Sequence, residues 1–328
     1  MRRSAVRKVF WWAMRPHRIP GLIRLLKEER VARTLKKEGR IDLSVFLSVE
    51  PLLATPSDKI RVQASQWINA SNSGDFSTFK RKGRIAVVLH LHYADLWPEL
   101  RDKILNIPEP FDLLVSLHEQ AAEQIAALIH QDFPGACVLK FENRGRDILP
   151  LVAMINAGLL REYDVICKIH TKKSLGSLFN GAAWRRVLVD GVLGSRRQVQ
   201  NILDAFDQNK SLGIVAADSQ LRGAKVRHWM KNFKKMALLC QRAGLTTTIP
   251  DEARFVAGTM FWIRASLLRP IEDMNLTLND FEVEPIGVDG AMAHAMERMF
   301  GLVTCKAGMQ IGGASLLLQS SRNSQYGR

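Results

Sequence analysis

Apolar and polar positions follow two rhythms along the middle of the chain. Ile85-Ala86-Val87-Val88-Leu89-His90-Leu91-His92 is a nearly unbroken apolar run, the pattern of a strand covered on both faces. After Tyr93-Ala94-Asp95 the spacing becomes helical over 96–105, and a second strand is expected at 111–117. A helix at 119–131 leads to a short strand at 137–141. Asn143-Arg144-Gly145-Arg146-Asp147 then reads as a turn in which Gly145 can take a positive φ. Ile148, Leu149, Val152, Ile155 and Leu159 recur at helical spacing, and 163–169 is another apolar strand. Strand and helix in alternation predict an α/β fold, a doubly wound and mostly parallel sheet flanked by helices.

The pattern continues with less regularity. Trp184 opens a helix to about 193, 197–208 is a further helix, and 213–217 is a core strand ending at Asp218. Residues 219–252 read as basic and irregular, a mobile lid or acceptor loop. Residues 255–264 form one expected strand in which Gly258 permits close backbone approach, and Asp289-Gly290 opens a helix over 291–300.

Composition narrows the class. With 328 residues, 47% of them hydrophobic, the chain can bury a large core. No apolar run approaches the roughly 18 to 20 residues of a membrane-spanning helix. Cys137, Cys167, Cys240 and Cys305 are scattered and form no CxxC pair, which suggests a reducing compartment. The net charge of +15 is concentrated at one end, where residues 1–40 hold 13 Lys and Arg against three Glu. Val6, Val9, Phe10, Ala13 and Met14 fall at helical spacing beside Trp11 and Trp12, so 1–40 reads as a basic amphipathic helical arm. It is either an interfacial anchor on an anionic membrane surface or a segment packed on the domain. The arm does not read as a secretory signal, and the chain carries no nucleic-acid-binding signature. A cytoplasmic protein, peripheral on the inner face of the inner membrane, is the expected location. Residues 41–82, rich in Pro, Ser and Asn, are the expected connecting region, 83–312 the domain, and 313–328 a polar tail.

Chemistry enters through topology. A strand–helix–strand crossover starts at the carboxyl end of one strand and the second strand runs parallel to it, so Arg144 and Arg146 should end up near His170, Lys172 and Lys173 at one sheet edge. Several cations gathered there suggest an anionic ligand, and a diphosphate suits arginine forks and lysine point charges. Neither GxGxxG nor a Walker loop is present. His90 and His92 share one strand face, as metal ligands or as a satisfied polar pair. Asp280, Glu282, Glu284 and Asp289 form an acidic segment in a basic chain, which suggests a general base, while Asp289 also suits a helix N-cap. His294 and Arg298, four residues apart, read as structural partners on one helix face.

Four motifs, in order, resemble the rhamnan synthesis protein F family over roughly residues 84–310. They are Asn143-Arg144-Gly145-Arg146-Asp147, then His170-Thr171-Lys172-Lys173-Ser174 with Trp184 after it. Ala257-Gly258-Thr259-Met260-Phe261-Trp262 follows, and then Asp289-Gly290 with His294-Ala295 and Glu297-Arg298. The resemblance implies a glycosyltransferase of rhamnose-containing cell-surface polysaccharide. Its implied donor is a nucleotide sugar, dTDP-rhamnose, and its implied acceptor a glycan or lipid-linked glycan.

A looser resemblance is to inverting glycosyltransferases of the GT-A fold. It implies Asn143, Arg144, Arg146, Asp147, His170, Lys172 and Lys173 around the donor diphosphate. It puts Gly258, Thr259, Trp262 and His294 on the acceptor side and makes Asp289 the catalytic base, with Glu284 as second choice. Where that group carries Asp-x-Asp, this chain has His170-Thr171-Lys172, so protein cations are expected to replace a metal. Mg²⁺ or Mn²⁺ stands as the alternative, and no other cofactor is expected. The competing reading is a non-catalytic carbohydrate- or membrane-interaction module on the same fold.

Overall fold

The structure is a computed structural model that describes residues 36–37, 40–44, 81–118, 120–121, 123–171, 181–223 and 229–315. Most of the basic arm, the bulk of the connecting region, Lys172, Lys173 and residues 316–328 of the tail therefore lie outside the described residues.

Seven strands form the central sheet. They are β1 (Ile85–Leu91), β2 (Phe111–His118), β3 (Cys137–Phe141), β4 (Val165–His170), β5 (Leu212–Ala216), β6 (Phe261–Arg264) and β7 (Gln310–Gly313). Their spatial order is β7-β5-β6-β4-β1-β2-β3. β1 runs parallel to β2 and β4, and β2 parallel to β3. β6 is antiparallel to both of its neighbours, and β7 is parallel to β5. The chain steps outward from β1 to β3 and then returns to the far side of β1 as β4. The carboxyl ends of β1 and β4 therefore flank a topological switch point, the crevice where open α/β sheets bind ligands.

Helices cover both faces. α1 (Trp97–Ile104), α2 (Glu123–Asp132), α4 (Gly181–Leu193) and α5 (Arg196–Gln208) supply one buried cluster with Val87, Leu89, Val115, Cys167 and Trp262 of the sheet. The opposite cluster joins Ala86, Val88, Ile166, Ile214 and Phe261 to α3 (Ile148–Asn156), α6 (Phe233–Arg242), α7 (Arg269–Asp273) and α8 (Met292–Lys306). Alternate residues of one strand thus enter different cores, which is why the strands read as continuous apolar runs. α3 is buried along its whole length, as its apolar sequence demands. α5 is stopped at its start by Ser195, whose hydroxyl accepts from the Gln198 amide at 3.2 Å. Gly301 lets α8 lie against the backbone at 254–255, since a Cβ there would sit 2.0 Å from the Arg254 carbonyl oxygen.

Three expectations change. The stretch 219–252 contains a helix, α6, whose Phe233, Met236, Ala237 and Cys240 are buried. The strand expected over 255–264 is broken. Phe255–Val256 pairs with Leu221–Arg222 outside the central sheet, and β6 begins only at Phe261. Residues taken as the start of a connecting region are attached to the domain, because Arg40–Asp42 pairs antiparallel with Thr248–Pro250 and both Ile41 and Leu43 are buried. No helix among the described residues is long and apolar enough to cross a membrane.

Candidate functional site

The turn after β3 carries the first part of the site. Gly145 has φ 62° and Arg146 φ 55°, so two successive residues occupy the left-handed region. For glycine this is free, whereas for arginine it is a strained conformation that its surroundings must hold. The reason lies next along the chain. Asp147 stands at the N-cap position of α3, yet its side chain caps nothing. Its Oδ2 instead accepts from Lys168 Nζ at 2.5 Å and from the Thr259 hydroxyl at 2.6 Å.

Lys168, in the middle of β4, is 1% exposed. Its ammonium also donates to the Thr259 carbonyl oxygen at 2.9 Å and approaches the Thr259 hydroxyl at 3.1 Å. Thr259 itself has φ 50°, unusual for a β-branched residue. Burial works against a charged Asp147. The nearby charges of His170 and Lys168, together with hydrogen bonds from Lys168 and Thr259, nevertheless hold its carboxyl well below the usual carboxylate range.

His170 closes this knot. Its Nδ1 lies 3.0 Å from the Thr171 carbonyl oxygen and its Nε2 lies 2.8 Å from the Gly258 carbonyl oxygen. A neutral imidazole has one N–H, and two carbonyl acceptors call for two. Asp147 Oδ2 lies 3.9 Å from Nε2. Gly258, at φ 89°, donates its N–H to Glu297 Oε2 at 2.7 Å.

The rim is formed by β1, β2 and the segment before α8. His90 donates to or accepts from Ser116 Oγ at 3.0 Å, and burial lowers its pKa to about 3, so it is neutral. His92 is exposed, packs edge-on against Tyr93 and faces His118, with ring centroids 4.7 and 6.2 Å away. Among the described residues no group of three or more His, Cys, Asp or Glu is arranged to hold a metal ion.

Across from them, Arg144 pairs by backbone with Val283 and its Nε donates to the Phe281 carbonyl oxygen at 2.8 Å. That contact ties the β3–α3 turn to the acidic segment. Arg146 remains accessible, with Glu284 Oε1 3.5 Å from its Nε and His294 Nε2 3.3 Å from its Nη1.

The four carboxylates of the acidic segment differ sharply. Asp280 caps its own turn at Thr277 and pairs with Arg242 at 2.9 Å. Glu282 accepts from the Met292 amide at 2.8 Å and pairs with Lys235 at 3.1 Å. Asp289 Oδ1 accepts from the Gly290 amide and Asn232 at 2.9 and 3.1 Å and pairs with Arg298 at 3.2 Å. Glu284 differs: Oε2 accepts from the Ile286 amide at 2.8 Å, but the buried Oε1 has no hydrogen-bond partner among the described residues.

Of the residues singled out in the sequence, Asp147, His170, Gly258 and Thr259 form the knot, and Arg146, Glu284 and His294 line its mouth. Arg144 and Asp289 are neighbours occupied by structural bonds. Trp262 is not brought to this edge. It is fully buried in the α1–α5 core, where its Nε1 donates to the Val192 carbonyl oxygen at 2.9 Å. For Asn143 no side-chain contact distinguishes a role. The residue that sequence reasoning passed over is Lys168. A lysine inside an otherwise apolar strand signals a buried anionic partner, and Asp147 is that partner.

An α/β fold with a seven-stranded, mostly parallel sheet covered by helices on both faces defines the class of this protein. The chain matches the family described as rhamnan synthesis protein F over residues 52–309, and it belongs to that family. It is 32% identical over 252 residues to "Uncharacterized protein WxcX" of Xanthomonas campestris pv. campestris, in strain B100 and again in strain ATCC 33913. Each alignment covers 75% of this chain and 35% of the relative, so the chain spans about a third of the length of the curated relatives it matches.

Proposed function

We propose that the protein is a glycosyltransferase of polysaccharide biosynthesis. In this reading it transfers a sugar, rhamnose, from a nucleotide-sugar donor, dTDP-rhamnose, to a cell-surface polysaccharide or lipid-linked glycan, with inversion. The fold is read as GT-A-like. Family membership supplies the class, and one observation carries the chemistry: Glu284 has a carboxylate oxygen that makes no hydrogen bond among the described residues and pairs with Arg146 at the switch-point edge.

A general base needs an oxygen free to take a proton, and a leaving diphosphate needs a cation. Glu284 is assigned the base ahead of Asp289, whose Oδ1 accepts from the Gly290 amide and Asn232 and pairs with Arg298, with Asp289 Oδ2 as the alternative proton acceptor. Glu284 removes the proton from the acceptor hydroxyl, which attacks the anomeric carbon. The bond to the diphosphate breaks, and Arg146 takes up the charge that develops on it. Lys172 and Lys173, next along the chain from the knot, are assigned to the same diphosphate. At the end of β4 His170 stands where a metal-binding carboxylate pair would be needed, so the cations of the chain are assigned the role of a metal. Residues 1–40 are assigned to an anionic membrane surface.

The test is ligand-dependent thermal stability with dTDP, UDP and GDP. At 100 times its dissociation constant a ligand adds about 2.7 kcal/mol. Selective stabilisation by dTDP is the expected result, and stabilisation by UDP or GDP instead changes the sugar. A lack of response to all three favours the second reading, a non-catalytic carbohydrate-binding module. That reading draws on the structural employment of Asp280, Glu282 and Asp289.

A further inference from the structure

His294 sits in the first turn of α8, and its two ring nitrogens face two different donors. The Ala291 amide donates to Nδ1 at 3.1 Å, which makes Nδ1 the acceptor and puts the proton of the neutral ring on Nε2. Burial, followed by the charge of Arg146, lowers the pKa of His294, in keeping with a neutral ring. The protonated Nε2 then lies 3.3 Å from Arg146 Nη1, which is also a donor. Two N–H groups aimed at one another do not bond. They are satisfied together by an acceptor that both can reach.

Among the described residues the acceptor brought to Arg146 is Glu284 Oε1, and it approaches Nε rather than Nη1. The pair is also held in place. The His294 ring is pinned by Ala291, and the φ 55° backbone of Arg146 is locked through Asp147, Lys168 and Thr259.

We propose that Arg146 Nη1 and His294 Nε2–H form a two-donor clamp that receives one phosphoryl oxygen of a diphosphate. The clamp deepens the reading of this site as a nucleotide-sugar site and rests on it for the ligand's identity. It moves His294 from the acceptor side to the donor side. A bidentate pair of N–H groups, one of them on a cation, suits a phosphoryl oxyanion. A diphosphate could come from a nucleotide or from a lipid-linked acceptor, and the two are separable by experiment.

Calorimetric titration with inorganic pyrophosphate, dTDP and a short-chain prenyl diphosphate tests the clamp on the full chain. His294→Phe is expected to weaken pyrophosphate binding about 10- to 100-fold. His294→Gln, which restores an N–H near the Nε2 position, is expected to recover much of that loss. Arg146→Gly removes the guanidinium at a position whose φ glycine accepts freely, so the fold is retained while pyrophosphate affinity falls. Undiminished affinity in His294→Phe, or wild-type protein that does not bind pyrophosphate, overturns the clamp. If pyrophosphate binds through His294 but dTDP binds no better than pyrophosphate, the clamp stands and the nucleotide-sugar reading falls. Preference for the prenyl diphosphate assigns the clamp to the acceptor lipid.

Discussion

Two carboxylates flanking Arg146, one next to it in the chain and one paired with its guanidinium, have opposite fates. Asp147 is met by Lys168 and Thr259, lies 3.9 Å from the His170 Nε2, and anchors three segments of chain in a buried knot. Glu284, on the segment leading to α8, keeps one oxygen without a hydrogen bond. Pairing with a buried cation makes a carboxylate a fastener, because any movement would strand the charge in a medium of low polarity. The knot therefore shapes the site, and Glu284 is where chemistry is expected.

The largest effect should come from Lys168→Met. Asp147 would become a buried charge without its cation, a loss of about 3 to 5 kcal/mol in stability by denaturant unfolding. An Asp147→Leu/Lys168→Met double variant should regain most of it, and a double variant no more stable than the single one would break the account of the knot. The pH dependence follows the same pairing. The folded pKa of Asp147 is depressed, so its stabilisation is present above the unfolded carboxylate value of about 3.9 and is lost as pH falls through the folded value. The Asp147→Leu/Lys168→Met protein should lack that component of acid sensitivity below about pH 4.

Next in size is the contrast within the acidic segment. Glu284→Gln is expected to lower turnover by about 10² to 10⁴ with unfolding unchanged. Asp289→Asn should instead lower stability by about 1 to 3 kcal/mol, since the Gly290 amide, Asn232 and Arg298 lose a charged partner. Full stability with lost turnover in Asp289→Asn would reverse the two assignments.

Gly145→Ala joins the two segments. A Cβ there, at φ 62°, would lie 2.6 Å from both the Leu149 Cβ and the Phe281 Cδ1, so about 1 to 3 kcal/mol of stability should be lost. Phe281 carries the carbonyl that holds Arg144, so this variant should also weaken pyrophosphate binding. The smallest effect is expected from EDTA, which should leave turnover unchanged. Loss of activity restored by Mg²⁺ or Mn²⁺ would end the idea that protein cations serve in place of a metal.

Local pattern carried much of the fold. Apolar runs at β1 and β4 report burial on both faces, the spacing after Asp147 reports α3, and Gly145 between two arginines reports a tight turn. Even α6 was legible in principle, for Phe233, Met236, Ala237 and Cys240 recur at helical spacing inside a basic stretch. These signals are local because a strand or helix repeats within a few residues.

The site is another matter. The partners of Lys168 are 21 and 91 residues away, those of Thr259 and Arg146 are 112 and 148 residues away, and no repeat links such positions. The chain alone led to parallel strands whose carboxyl ends share one sheet edge, because crossovers return there. Tertiary structure decided which cations and carboxylates are consumed as fasteners and which stay available, because that depends on how many donors the packed surroundings bring to each oxygen.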